Sequence, residues 1–540
     1  MQDRCLRLKD RVNKLNRLLL AGSGFLIWLL VSDNALAAKT IHLSIDEKAS
    51  RPLSSLIFGQ NQFYGPSTES NSALNFPLLR FGGNAASRYN WRINSTNTGK
   101  DWFFINTPLG PKTPNYVDKM IAKNGSSSFM INLPFIGWVA KSREKSWAYS
   151  RKKYGKQQAY EPYGSKTEIG NGIDRNGSVI KDNQPSDTSI AIDEKFHLDW
   201  ISHLLRKTPA SNFIFALGNE PTLWDESHRD LRYGDKSLPN SQISYDELWE
   251  RTVKLATAIK KKYPDLKLAG PGSWGWCGYF SSGVDRTNSG GCTNGQDRKS
   301  HGGIDILSWY LKKSCTTQKS GPLIDYLDVH FYPEGLDQSD ESMTGHRKRF
   351  SRLRSLFDES YTDPSWINQP VALLPRMQRL IDKNCPGTKL SLSEYRFGTE
   401  GNGISTALTQ IAALGIFAEQ GLTMATHFHE LEPKSLLDQA FALYLNFDGA
   451  GSNILGSKVL NTKGSSEYFR SFTFKKANSY FLYLVNAERQ TVNVSGLQEK
   501  SASKVFDLNK PAGKIVKQKT SNWRTIPAMT ARLVVLTTKP

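Results

Sequence analysis

Cysteine is scarce in this chain: 540 residues contain five. None is spaced Cys-x-x-Cys, which argues against a zinc site. Cys5 lies in the leading segment, and Cys277, Cys292, Cys315 and Cys385 form an even set with three possible pairings. Cys277 and Cys292 flank one Gly/Ser-rich loop, which favours their bridge. Acidic residues are also short, 50 against 70 Lys and Arg, for a net charge of +20. That balance invites a nucleic-acid reading, yet no recognition motif accompanies it. The lysines are dispersed over helix ends and between strand runs, as at 260–262, 312–313 and 475–476. No nucleic-acid partner is expected; weak adhesion to anionic walls or lipids is the residual reading of the charge. Internal repeats and long low-complexity linkers are absent as well, so the domains are expected to pack together. With 38% hydrophobic and 11% aromatic residues the chain is globular rather than disordered.

Long apolar runs are confined to residues 18–31, broken by Gly22 and Gly24 and shorter than the roughly 20 residues of a spanning helix. Arg4, Arg7, Lys9, Arg11, Lys14 and Arg17 precede the run, and Ala35-Leu36-Ala37 follows it. Residues 1–38 therefore read as a secretory signal, with an uncleaved anchor as the alternative. A secreted or periplasmic protein, unattached to the membrane once the signal is removed and monomeric, is expected.

Such a length exceeds one ordinary core and predicts a large domain plus a smaller one. Eight short apolar runs, at 55–58, 77–81, 129–133, 213–217, 266–269, 326–330, 390–393 and 423–427, alternate with Gly/Asn/Pro-rich loops and helical stretches. Eight parallel strands close a (β/α)8 barrel, assigned here to residues 51–440. The helices have their own signals. Ser244-Tyr245-Asp246-Glu247 is a capping box, and Leu248, Leu255 and Ile259 then recur on one face. Segments 194–207, 304–313 and 371–382 each precede a strand, the rhythm of right-handed βα units. From residue 441 the helical period disappears and strands are predicted at 441–447, 472–474, 480–485, 491–494 and 531–536. Residues 441–540 are expected to form a β-sandwich, joined by an alternating N-terminal strand within residues 39–50.

Two glutamates lie where apolar strands meet loops: Glu220 in Gly218-Asn219-Glu220-Pro221 and Glu394 in Leu392-Ser393-Glu394-Tyr395. A carboxyl group at a sheet rim touches both core and solvent, which is how a raised pKa arises. A pair of them suits sugar-bond hydrolysis, one protonating the leaving oxygen and the other attacking the sugar or activating water. Around them Asn219 is read as a donor to a sugar hydroxyl. Arg80 is read either as a donor to the nucleophile or as a surface ion pair. His330 and Tyr332 either orient that same carboxylate or are satisfied core groups. Aromatic residues cluster in the loops that follow the strands, and Trp91, Trp102, Trp138, Trp224 and Trp274 are candidate sugar platforms or, taken singly, loop anchors. His427 and His429 are two apart but lack a third partner of suitable spacing, so no metal and no cofactor are expected.

Six blocks carry a resemblance to a known family: Arg80-Phe81-Gly82-Gly83-Asn84-Ala85-Ala86-Ser87-Arg88-Tyr89-Asn90-Trp91, Asp101-Trp102-Phe103-Phe104, Gly218-Asn219-Glu220-Pro221-Thr222-Leu223-Trp224, Tyr245-Asp246-Glu247-Leu248, Leu327-Asp328-Val329-His330-Phe331-Tyr332-Pro333-Glu334 and Leu390-Ser391-Leu392-Ser393-Glu394-Tyr395. In this order, and over most of the barrel, the chain resembles glycoside hydrolase family 44. The resemblance implies a barrel with a β-sandwich and retaining endo-β-1,4-glucanase activity, often with xyloglucan as a good substrate. It places Glu220 at the acid/base and Glu394 at the nucleophile, with Asn84 among the substrate-binding positions. Phe81, Gly218 and Arg396 depart from the usual Trp, Asp and neutral residue, which bears on subsite preference. A mannanase or xylanase on the same barrel, or a secreted carbohydrate-binding protein without catalysis, are the alternatives.

Overall fold

The computed structural model describes residues 39–62, 74–163, 167–286, 291–318, 321–399 and 403–538. The expected secretory signal lies outside the described residues. Two N-terminal strands, β1 (Lys39–His42) and β2 (Ser44–Pro52), lead into eight barrel strands. These are β3 (Gly59–Asn61), β4 (Leu78–Phe81), β5 (Ser128–Leu133), β6 (Phe213–Leu217), β7 (Lys267–Ser273), β8 (Tyr326–Phe331), β9 (Lys389–Tyr395) and β10 (Met424–His427). All pair parallel and close in sequence order. A closed parallel sheet buries both faces of every strand, which is why β4, β6 and β8 are buried throughout.

The first barrel strand does not fall on residues 55–58. Ser54 accepts from the Leu56 N–H and caps a 3-10 turn at Ser55–Ile57, so pairing starts at Gly59. A side chain there would come within 2.4 Å of the Ala425 carbonyl oxygen, so glycine lets β3 and β10 close the barrel. Gln60 and Asn61 are buried although polar, because the upper barrel interior is lined with polar groups, Arg80, Asn132, Asp328, Ser391 and Ser393 among them. A search for apolar runs misses such a strand.

The 441–447 segment is a helix, Leu436–Leu445, rather than a strand. Ser435 Oγ accepts from the Asp438 N–H at its N-terminus. Its apolar residues show no helical period because barrel and sheet enclose it from both sides. The preceding helix, Ile404–Glu419, is buried along nearly its whole length for the same reason. Gly415 admits the Phe472 ring, which a Cβ atom would meet at 2.4 Å.

Two short ribbons, Ser95–Asn97 with Asn106–Pro108 and Trp138–Ala140 with Ser189–Ala191, lie in the barrel loops, and the C-terminal strands are β11 (Lys458–Lys463), β12 (Phe469–Lys476), β13 (Ser479–Asn486), β14 (Val492–Ser495), β15 (Lys500–Asn509), β16 (Ile515–Gln518), β17 (Thr525–Ile526) and β18 (Thr530–Thr538). They form a seven-stranded antiparallel sheet, β2-β11-β12-β13-β18-β15-β16, and a three-stranded sheet, β1-β14-β17. In β13 the period of two assigns each face. Tyr480, Leu482 and Leu484 pack toward the small sheet with Val492 and Trp523. Phe481, Tyr483 and Val485 join the barrel core. Tyr483 stacks on Tyr444 of helix Leu436–Leu445 at 4.2 Å between ring centroids. Sheet and barrel thus share one apolar core. Cys277 and Cys292 are bridged across their loop, whereas Cys315 and Cys385 are free thiols.

Candidate active site

Glu220 and Glu394 meet at the C-terminal mouth of the barrel, from β6 and β9. The path of Glu220 is set by an unusual backbone: Gly218 has φ +92° and Glu220 itself φ +46°. A side chain on Gly218 would press within 2.9 Å of Phe135. The Glu220 N–H donates to the Gly272 carbonyl at 2.9 Å, and Trp224 Nε1 donates to the Asn219 carbonyl at 2.9 Å. Two neighbouring elements thus hold a residue in a left-handed conformation that costs energy, a hallmark of functional positions.

Glu394 comes from a strand that slips register against both neighbours, between Val329 and His330 of β8 and between Leu392 and Tyr395 on the β10 side. The slip re-aims the carboxylate into the mouth. Arg80 Nη1 donates to Glu394 Oε1 at 2.8 Å, and Tyr332 Oη donates to Oε2 at 2.8 Å. Arg80 Nη2 donates to Asn219 Oδ1 at 2.9 Å, leaving Asn219 Nδ2 to donate to Asn84 Oδ1 at 3.2 Å. Asn84 in turn donates to Asp101. His330 Nδ1 sits between the acids, 2.8 Å from Glu220 Oε1 and 3.5 Å from Glu394 Oε2.

The electrostatics separate the two carboxyl groups. Burial pushes Glu220 above the ordinary carboxylate range, with His330 opposing the rise and the Glu394 charge adding to it. Burial also pushes Glu394 upward, but His330, Arg80 and the Tyr332 hydroxyl together pull it below that range. His330 is raised: burial disfavours its cation, yet the two carboxylates outweigh burial. Beneath them Asp328 accepts from Ser391 and Ser393 at 2.7 and 2.8 Å, and burial raises its carboxyl. Glu220, His330 and Glu394 also have the composition of a cation site. The guanidinium of Arg80 already supplies positive charge to that set. His427 and His429 are held to about 3 and about 4 by burial and by Arg396, His429 being close enough for Glu394 to oppose its shift.

The structure therefore brings Glu220, Glu394, Asn219, Arg80, Asn84, His330 and Tyr332 into one network. Arg80 is completely buried rather than part of a surface ion pair. The tryptophans divide. Trp102 is 39% exposed and stacks on Tyr163, which is 85% exposed, at 5.8 Å and 13°. Trp274 is half-buried at the end of β7, its Nε1 without a partner among the described residues. Trp224 is fully buried and is no sugar platform; its indole instead fixes the Glu220 turn. Trp91 packs on Phe196 and His203 of helix Glu194–Leu205, so it anchors a loop. Trp138 is half-buried against the core and pairs with Ala191 in a two-stranded ribbon. Asp101, Asp328 and Tyr163 belong to the site region without having been singled out. The first two stand inside the family-like segments 101–104 and 327–334, but nothing in the sequence around Tyr163 marks it.

The family model for glycoside hydrolase family 44 matches residues 95–335. Among curated relatives, endoglucanase A of Paenibacillus lautus is 26% identical over 520 residues, covering 89% of this chain and 69% of that protein. A beta-mannanase/endoglucanase A of Caldicellulosiruptor saccharolyticus is 25% identical over 526 residues, covering 87% of this chain and 36% of that protein. Among solved structures, a bifunctional glucanase-xylanase from a metagenome library superposes with a TM-score of 0.82 at 28% identity, over 93% of this chain and 99% of that one. A family 44 endoglucanase of Clostridium thermocellum shares the fold with a TM-score of 0.73 at 23% identity, over 92% and 100%. With Glu394 buried and Glu220 half-buried at the mouth of such a barrel, a family 44 model matching residues 95–335 and relatives aligned over most of its length, the chain is similar to the enzymes of glycoside hydrolase family 44.

Proposed function

We propose that this glycoside hydrolase is secreted and cleaves internal β-1,4-glucosidic bonds of cellulose-type glucans or xyloglucan, with retention, through Glu220 and Glu394. One observation carries the mechanism: the two glutamates have carboxylate oxygens within 4.8 Å of each other and opposite pKa shifts. Retaining enzymes keep their carboxyl groups about 5–5.5 Å apart, whereas inverting ones need roughly 6.5–9.5 Å to admit a water. Glu220, kept protonated by burial, gives its proton to the glycosidic oxygen as Glu394 Oε attacks the anomeric carbon. The C–O bond to the leaving group breaks and a glycosyl ester forms on Glu394. Glu220, now ionised and held by His330, takes a proton from water, which attacks the same carbon and releases Glu394. Asn219, locked by Arg80 and Asn84, presents its amide beside the reacting sugar. These steps need protons and a carboxylate only.

The glucan assignment follows the names of the relatives, one of which includes mannanase activity and one of the matching structures xylanase activity. Export follows the leader at residues 1–38; no helix among the described residues is long and apolar enough to cross a membrane. The deciding experiment is Glu220→Ala with an aryl β-cellobioside as substrate. Loss of the acid should slow polysaccharide cleavage by roughly a hundred- to ten-thousand-fold. The activated leaving group needs little protonation, so the glycosyl-enzyme should accumulate and azide should release a β-glycosyl azide. An α-azide, or no rescue at all, removes the assignment. Product analysis on β-glucan, xyloglucan, mannan and xylan identifies the polymer.

A further inference from the structure

The positive charge is unevenly placed. From residue 458 to the C-terminus the chain has 15 basic and 4 acidic residues, a net +11 of the whole chain's +20 in its last 83 residues. Two of these acids are in ion pairs, Asp507 with Arg532 and Glu488 with Lys39. Lys475 and Lys500 find a partner in Glu47. Lys504, Lys510, Lys514, Lys517 and Lys519 remain exposed on β15, β16 and their connections, with no ion pair among the described residues.

Register concentrates that charge. β15 and β16 pair Phe506 with Lys517 and Leu508 with Ile515, so by the strand alternation Lys504 shares their face. Across this face lies helix Leu436–Leu445, and between them runs a groove of about 790 Å3. Lys434, Lys504, Lys514 and Lys517 line it, over a floor that includes Phe506 and Ile515. Asp448 also borders the groove, where it feels the Lys504 charge while its side chain accepts from the Ala450 and Ser452 N–H groups in its own turn, so the four lysines outnumber the groove's two acids. Asp438 is buried, and its carboxylate accepts from the Lys434 N–H at 3.0 Å. Lysines on an edge strand guard against edge-to-edge pairing. That need accounts for Lys517 on β16, but not for Lys434, which reaches the same groove from the loop after barrel strand β10.

We propose that this groove binds carboxylate-bearing polysaccharide, a uronate-rich chain whose charges recur along its length. Like charges crowded on one face cost stability unless a counter-charge arrives. Phe447 and Phe506 are each 4% exposed, so they offer no faces on which nucleobases could stack. A concave groove also suits a strand-like polymer better than a flat lipid surface. Pro433 and Lys434 follow the C-terminal end of β10, the barrel end that carries Glu394, so one end of the groove opens on that side.

The test is affinity electrophoresis of the full chain through gels containing polygalacturonate, with neutral β-glucan gels as reference. Wild-type protein should be retarded by polygalacturonate, and the retardation should vanish at 1 M salt, where the Debye length is about 3 Å. The variant K504Q/K514Q/K517Q should bind at least about fivefold more weakly. Removing the same charge elsewhere, in K152Q/K261Q/K312Q, should leave binding within about twofold, and both variants should keep wild-type melting and hydrolysis of neutral glucan. Equal losses in the two variants, no retardation of wild type, or equally tight binding to duplex DNA or anionic vesicles at matched salt each overturn the proposal.

Discussion

Replacing Arg80 by Met tests the charge logic of the site most directly. Its guanidinium is fully buried, touches Glu394 Oε1 at 2.8 Å and fixes Asn219 at 2.9 Å. A hydrogen bond to a charged group is worth about 1.5–3 kcal/mol, so the variant should lose ~10- to ~150-fold of the preference for ionised Glu394. Glu394 lies below the ordinary range in the intact site because His330, Arg80 and Tyr332 outweigh burial. Without Arg80 burial gains, so the acid limb of kcat/KM against pH must move to higher pH. Activity should fall most at acidic pH and recover partly as pH rises, the residual loss reflecting an unanchored Asn219. Folding should suffer as well: an uncompensated buried charge costs about 3–5 kcal/mol, and Arg80→Met/Glu394→Gln should be less destabilised than the two single effects summed. The assay is kcat/KM from pH 4 to 9 on an aryl glycoside, with urea midpoints for all three variants. An unmoved acid limb, or midpoints that simply add, would refute the reasoning.

Glu394→Gln should abolish turnover while oligosaccharide binding, measured by calorimetry, stays within about threefold, because shape is kept and only the nucleophile's charge is lost; near-wild-type hydrolysis would remove the role. Tyr332→Phe deletes one donor to Glu394 Oε2 and should cost about 10- to 100-fold in kcat/KM with the acid limb raised, whereas a purely structural role leaves the limb in place. Glu419, at the end of helix Ile404–Glu419, lines a cavity of about 540 Å3 against the C-terminal sheet, and burial raises it to about 7 despite the nearby Arg470 and Arg51. A carboxyl raised in the folded state contributes stability that is full below its unfolded value of about 4.3 and is lost as pH rises through about 7. Glu419→Gln should therefore melt higher than wild type at pH 8, by up to ~3 kcal/mol of stability, with the gap closing at pH 4; a constant gap would show that Glu419 does not titrate in this range.

The repeating units and the two strand-end glutamates were legible in the residues alone. Helix-before-strand rhythm, caps such as Ser244, whose Oγ accepts from the Glu247 N–H, and apolar runs are local properties, so most barrel strands stand where the runs lie. Both glutamates are legible because a polar residue ending an apolar strand is itself a local signal. What depends on enclosure was not legible. Helix Leu436–Leu445 loses its period because the sheet covers the face that would otherwise be polar, and β3 hides its strand character behind Gly59, Gln60 and Asn61. Whether a tryptophan is a platform or a prop is likewise decided by what packs on it: Trp224 is under the Glu220 turn and Trp102 is open. The division of labour between the glutamates is tertiary as well. Burial acts on both, and the convergence of His330, Arg80 and Tyr332 on Glu394, the last two from positions 314 and 62 residues away in the chain, takes it below the carboxylate range while Glu220 stays above it.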